Sequence, residues 1–148
     1  MPVNPEAQGR SYGPHEPYEV SRAKIREFAD AVDARSFAHR DVAAARAEGY
    51  DDLVAPTTFA VVIAQREEFH VVQDPEVGVD FSKVVHADER FTHHRPIVAG
   101  DVIATTIHID KVVSRGSVST VTTRAELADT DGAPVATVLS TLAVREDA

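Results

Sequence analysis

The residues Phe59 to Ala64 (FAVVIA) are apolar on every side of whatever element carries them. An element without a polar face must be covered all round, so this run constrains the fold more than any other stretch. Val and Ile also suit a buried strand. The length of the segment, from about Thr58 to Phe69, and the polar QREE at 65–68 predict a helix instead. Something must then wrap that helix.

The C-terminal half supplies the wrapping. From Asp101 to Val113 the chain alternates, with Ile103, Thr105, Ile107, Ile109 and Lys111 on one face and Val102, Ala104, Thr106, His108 and Asp110 on the other. The first set is the more apolar, as in a half-buried antiparallel strand. Arg115-Gly116 suits a turn, and Ser117 to Leu127 resumes the alternation. Asp131-Gly132 is a hairpin signal, and Val135 to Val144 forms a further strand. With Val84 to Thr92, four long strands are predicted. The fold class is α+β, an antiparallel sheet wrapped around a central buried helix.

Before Gln73 the chain reads as helical. The first 20 residues hold four Pro and two Gly, an irregular arm. Ser21 is a predicted N-cap, and Val20 and Ile25 stand at the positions of a hydrophobic staple. Ile25, Phe28, Ala29 and Val32 form one apolar face. Asp41 caps a short alanine-rich helix that stops at Gly49.

Composition excludes more than it names. The chain has 148 residues, the length of one domain covering 1–148, and a formal net charge of −9. That charge argues against nucleic-acid partners, which need a basic surface. There is no Cys, which removes Cys nucleophiles and Cys-based zinc sites. No stretch is long and apolar enough to span a bilayer, and the polar start MPVNPEAQGR does not read as a secretion signal. A cytoplasmic location is expected.

Two blocks carry candidate chemistry: FADAVDARSFAHRD at 28–41 with LVAPTTF at 53–59, and HADERFTHHRPIVAGD at 86–101. In the second block, Phe91, Arg95, Pro96, Gly100 and Asp101 follow the order of aromatic, Pro and Gly-Asp that resembles the hot-dog-fold dehydratases and hydratases of the MaoC-like group. The first block lies where those enzymes carry a hydratase motif, an aromatic followed by Gly-Asp-x-Asn-Pro-x-His. Aligned without gaps, Phe28 takes the aromatic position, Asp33 the Gly, Ala34 the catalytic Asp, Ser36 the Asn, Phe37 the Pro and His39 the catalytic His. The resemblance runs from Tyr12 to Val144. It is most similar to the A-type, MaoC N-terminal-domain-like subunits of mycobacterial (3R)-hydroxyacyl-ACP dehydratases and their actinobacterial relatives.

The resemblance implies a single hot-dog fold, an acyl-thioester substrate on ACP or CoA, and a dimer. It also implies neither metal nor redox cofactor. Reversible hydration of an enoyl thioester needs an acid–base pair and a donor for the thioester carbonyl. Ala34 cannot exchange a proton, and Pro56, at or beside the expected carbonyl-donor Gly, has no N–H. The candidate catalytic residues are therefore His39 and, one position from the motif, Asp33. The candidate substrate-binding residues are Phe28, Pro56, Thr57, Thr58, Phe59 and Arg95.

Blander readings stand beside these. His39 also reads as a polar loop residue, Asp33 as a solvent-facing acid at a helix end, and Arg90 and Arg95 as ion-paired surface residues. His86 pairs with Asp88 on one strand face in this reading. His93 and His94 point to opposite faces of a strand and do not suit one shared ion. The damaged motif predicts a non-catalytic, acyl-chain-binding subunit beside a hot-dog partner with an intact Asp–His pair. A self-sufficient enoyl-CoA hydratase homodimer and a non-enzymatic acyl-thioester binding protein are the alternatives. A hot-dog thioesterase lacks its acid here, because Thr57 and Thr58 occupy the start of the central helix.

Overall fold

The computed structural model describes residues 2–147. Three helices, α1 (Arg22–Ala31), α2 (Val42–Ala47) and α3 (Ala60–Gln73), precede four long strands. The strands are β3 (Val84–His93), β4 (Val102–Arg115), β5 (Val118–Ala128) and β6 (Pro134–Arg145). Two short strands, β1 (Ser11–Tyr12) and β2 (Tyr18–Glu19), come first. All pairings are antiparallel, in the order β1-β4-β5-β6-β3, with β2 also against β4. The sheet curls around α3, which is the predicted architecture.

The core follows from the pleat. On β4, Ile103, Thr105, Ile107 and Ile109 are buried; on β5, Ser119, Val121, Thr123, Ala125 and Leu127; on β6, Val138, Ser140, Leu142 and Val144. Each set has the period of two that aims one face at the helix. From α3 and the 3₁₀ turn that starts it, Phe59, Ala60, Ile63, Ala64 and Val71 fill the concave side. Phe59 is fully buried, with edge-on aromatic contacts to Phe28 at 5.4 Å and Tyr18 at 6.4 Å.

Several details differ from the sequence reading, each for a local reason. Lys111 leaves the apolar face because a bulge at Asp110 shifts the register, placing Lys111 opposite Thr122. The N-terminal arm is not wholly irregular: β1 pairs with Ile107 and His108, and β2 with Val102 and Ile103. The central helix continues past Phe69 to Gln73, and Glu67 and Glu68 in the QREE stretch are buried. Val61 and Val62 are only partly buried, so α3 is not covered on every side. Val32, the last of the four apolar positions on α1, is its exposed C-cap.

Capping at both early helices is as the sequence implies. The Ser21 hydroxyl accepts from Lys24 N, and the Asp41 carboxylate accepts from Ala43 N. Val20 and Ile25 are both buried. Among the described residues no helix is long and apolar enough to cross a membrane.

Phe59 joins α1, β2 and α3 in one aromatic contact. Phe59→Ala is expected to cost about 3–5 kcal/mol of stability, read as a lower urea midpoint with an unchanged m-value.

Candidate functional site

Backbone pairing builds the site. The segment 53–55 runs beside 97–99: Ala55 N donates to Ile97 O at 2.8 Å, and Ala99 N to Leu53 O at 2.9 Å. Val54 N also donates to Ala38 O at 3.1 Å, which docks the 3₁₀ turn Phe37–His39 against this ribbon. Ser36 caps that turn, its hydroxyl accepting from Ala38 N. A cleft of about 600 Å³ opens where these parts meet the start of the central helix. Ala34, Ser36, His39, Glu48, Tyr50, Pro56, Thr57, His93 and Arg95 are among the residues lining it.

His39 is held in one orientation. Its Nδ1 lies 2.7 Å from the Val54 carbonyl oxygen. A carbonyl can only accept, so Nδ1 carries a proton, and of the two neutral tautomers this contact selects the one with Nε2 as the acceptor. Pro56 has no N–H, but it is the N-cap residue of the turn Thr57–Phe59, and the amides that follow it begin the helix. Thr57 N and Thr58 N have no partner in the hydrogen-bond network of the described residues. Such helix-start amides are natural donors to a developing negative charge.

Asp33 is not brought to the cleft. Helix α1 ends in a Schellman arrangement, with Ala34 N donating to Ala29 O at 2.8 Å and Asp33 N to Asp30 O at 3.3 Å. Asp33 occupies the left-handed position of that motif at φ 54°. Its carboxylate is exposed and paired with Arg35 at 3.0 Å. Ala34 does line the cleft, with only a methyl group to offer.

The other predicted residues divide. Pro56 and Thr57 line the cleft, whereas Thr58 is exposed outside it and Phe28 and Phe59 belong to the core behind it. Arg95 lines the cleft, but its guanidinium donates to both Asp101 oxygens at 2.9 and 3.1 Å and to Pro96 O. Asp101 also accepts from Val98 N. Arg95 thus clamps the loop between β3 and β4, and that carboxylate raises its pKa. Arg90 pairs with Asp88 at 2.9 Å. His93 Nε2 donates to Thr57 O at 2.7 Å, while His94 meets Thr137 Oγ1 at 3.2 Å, so the adjacent histidines serve different partners.

Glu48 and Tyr50, which sequence reasoning did not single out, also line the cleft, and Glu48 is the one carboxylate there among the described residues. They follow α2, outside the motif, and no local sequence signal marks them.

Comparison with known proteins gives this geometry a family. Residues 6–138 match the family described as FAS1-like, dehydratase domain region. The chain belongs to this family. The UPF0336 protein of Saccharopolyspora erythraea is 47% identical over 145 residues, covering 98% of this chain and 93% of that protein. The UPF0336 protein of Leifsonia xyli subsp. xyli is 49% identical over 147 residues, covering 99% of each. A chain of the HadBC (3R-hydroxyacyl-ACP dehydratase) complex from Mycobacterium tuberculosis superposes with a TM-score of 0.84 at 32% identity, covering 93% of this chain and 96% of that one. A MaoC-like dehydratase superposes at 0.87 with 31% identity, this chain spanning 42% of its length. The fold is the hot-dog fold of these dehydratases and hydratases.

A second cleft, of about 630 Å³, lies along the hot-dog helix between Val62, Phe69, Phe81 and His86. Buried Glu68 forms part of its lining. One Glu68 oxygen accepts from Thr123 Oγ1 at 2.7 Å, and the other is 3.4 Å from His86 Nε2. His86 turns to Glu68 rather than Asp88 because a bulge separates His86 from Asp88 on β3. Nearby, Glu89 Oε2 and Ser140 Oγ are buried without a hydrogen-bond partner. Burial pushes the Glu89 carboxyl above the usual carboxylate range; the neighbouring Ser140 hydroxyl opposes this and the Glu68 charge reinforces it.

Two outcomes follow from these environments. Asp33→Gly is expected to stabilise the protein by about 1 kcal/mol, because Gly adopts positive φ freely and an exposed ion pair contributes little. Thermal unfolding checks it. At Glu89 the folded state holds its proton more tightly than the unfolded chain. Its contribution is therefore intact below the ordinary carboxylate pKa and is lost as pH rises through the raised folded value. Glu89→Gln, which mimics the protonated form, should raise stability at pH 7 and give no gain at pH 3, measured by urea unfolding at both.

Proposed function

We propose that this chain is a single hot-dog domain over residues 1–148 that serves as the non-catalytic, acyl-chain-binding subunit of a (3R)-hydroxyacyl-thioester dehydratase or enoyl hydratase. It acts in cytoplasmic fatty-acid metabolism, on ACP- or CoA-linked chains, beside a hot-dog partner with an intact Asp–His pair. The observation that carries this reading is the cleft itself. It holds an oriented His39 and is lined by Ala34, the residue that the gapless alignment sets at the motif's Asp, while Asp33 is turned to solvent.

In the reaction, water adds across the C2–C3 double bond, with oxygen to C3 and a proton to C2; dehydration is the reverse. One group must take the proton from water while another supplies or removes the C2 proton, and a donor must hold the thioester oxygen as it gains charge. His39 Nε2 suits the first task, and the amide of Thr57 suits the last. The second acid–base group is missing at position 34.

The partner reading has support beyond the motif. Strand β3 is a sheet edge with most residues exposed, and Val85 on it and Phe69 and Phe81 near it are exposed hydrophobics. A free edge flanked by apolar side chains suits strand addition by a second hot-dog sheet. The structural relatives include the HadBC complex and the ChsH1-ChsH2 complex of Mycobacterium tuberculosis, the latter a likeness of fold. The net charge of −9 opposes an acidic carrier protein, which favours CoA unless the partner supplies the docking surface.

A second reading rests on Glu48, which shares the cleft with His39. In that case a homodimer would hydrate enoyl-CoA by itself.

The test is crotonyl-CoA hydration by the chain alone and co-expressed with an intact-motif hot-dog subunit. Alone, turnover should fall at least about 100-fold below the pair, and Ala34→Asp with Ser36→Asn should raise it. Full turnover by the chain alone, lost in His39→Ala and Glu48→Gln, would establish the second reading instead.

A further inference from the structure

The N-terminal arm completes a cluster that the dehydratase reading does not use, although its His70 also lines the second cleft. His15, Glu67 and His70 place one donor atom each within 4.8 Å of one another. Glu67 and His70 are three apart on α3 and share a face of the helix. His15 arrives from the arm, where β1 and β2 pin the chain to β4 on either side of it.

The arm is shaped to make this approach. Gly13 has φ +77°, and a side-chain carbon there would lie 2.8 Å from Thr105 O and 3.0 Å from Glu67 Oε2. No other residue fits without moving the arm off the helix. The chain is thereby pressed against a carboxylate that is 8% exposed, and His15 Nδ1 meets Glu67 Oε2 at 2.6 Å. The His15 and His70 rings stack at 4.1 Å with a 28° tilt.

We propose that His15, Glu67 and His70 bind a divalent transition-metal ion. Two imidazoles and a carboxylate are the donor set that suits zinc and its neighbours in the first row. A buried carboxylate is costly without a cation, and among the described residues the side chain paired with this one is a half-exposed imidazole. On a tetrahedral ion, donors bonded at 2.0–2.1 Å stand about 3.4 Å apart. To reach that spacing His15 Nδ1 must move out from its 2.6 Å contact with Glu67, and the two exposed rings must leave their stack. Three protein ligands leave a fourth position for water. The ion would tie the arm to the central helix, and so to the sheet's β4 edge.

The site goes beyond the dehydratase reading and does not depend on it. The sequence drew attention to His93-His94 instead; here the ligands come from positions 15, 67 and 70, and only folding gathers them.

The experiment uses tag-free, chelator-stripped full-length protein titrated with Zn²⁺ by calorimetry, and with Co²⁺ followed by its visible spectrum. One Zn²⁺ per chain is expected. At a hundredfold excess over Kd, Tm should rise by about 9 °C. His15→Ala and His70→Ala, both at exposed positions, should each weaken binding about 100-fold or more, since even outer-shell changes cost 10–100-fold. Glu67→Gln should do the same, and His93→Ala should not. Intense tetrahedral Co²⁺ bands in the wild type, absent from His15→Ala, would support the three-ligand site. The proposal is overturned if the wild type takes up no stoichiometric Zn²⁺ at about 100 µM. It is equally overturned if His15→Ala and His70→Ala bind as tightly as the wild type.

Discussion

Everything in this molecule depends on one burial: the inner face of the central helix, from Phe59 through Ile63 to Val71, against the concave side of β4, β5 and β6. That contact fixes the curl of the sheet and the height at which the helix begins. The helix start in turn sets where Pro56 and Thr57 stand, and the ribbon just before it holds His39 through Val54. The cleft is therefore a by-product of core packing. Its walls are the ends of elements whose middles are dry.

Under the proposed reading, the ending of α1 is where the catalytic motif is lost without disturbing that framework. The chain needs a left-handed residue after α1 so that it can turn toward the cleft. In the hydratase motif that position is Gly; here it is Asp33, which meets the backbone demand at some strain and spends its charge on Arg35. The next residue faces the cleft whatever its identity, and Ala34 leaves that wall without a carboxylate. Asp33 is adjacent in sequence to the catalytic position, yet its place in the Schellman turn directs it elsewhere. The His39 side of the motif survives because its contacts are to backbone: Val54 N to Ala38 O and His39 Nδ1 to Val54 O.

Much of the fold was legible because it rests on periodicity and local chemistry. Ser21, Asp41 and Gly49 mark the early helices, and the alternation of Ile103, Ile107 and Ile109 marks the buried face of β4. The hidden parts depend on partners far along the chain. Glu68 reads as the polar end of a helix until Thr123 and His86 are folded over it. The bulge at Asp110, which releases Lys111 to solvent, leaves no local mark. In the site, the hydratase block led to His39, Ala34 and Pro56. Glu48 and Tyr50 line the cleft where the chain leaves α2, which packs on the Phe37–His39 turn. Arg95, a candidate substrate-binding residue in the sequence, is held by Asp101, a pairing that its neighbours in the chain do not specify.

The free edge of β3 has a consequence for how such proteins diversify. Backbone amides and carbonyls along an edge are the same for every sequence, so the edge itself does not distinguish an identical copy from a diverged cousin. Discrimination falls to the few side chains standing on either side of it, among them Phe81, Val85 and His86. A gene duplicate could change partners by altering those side chains while leaving the ladder intact. One copy would then be free to lose a catalytic carboxylate, because the neighbour across the seam still carries it.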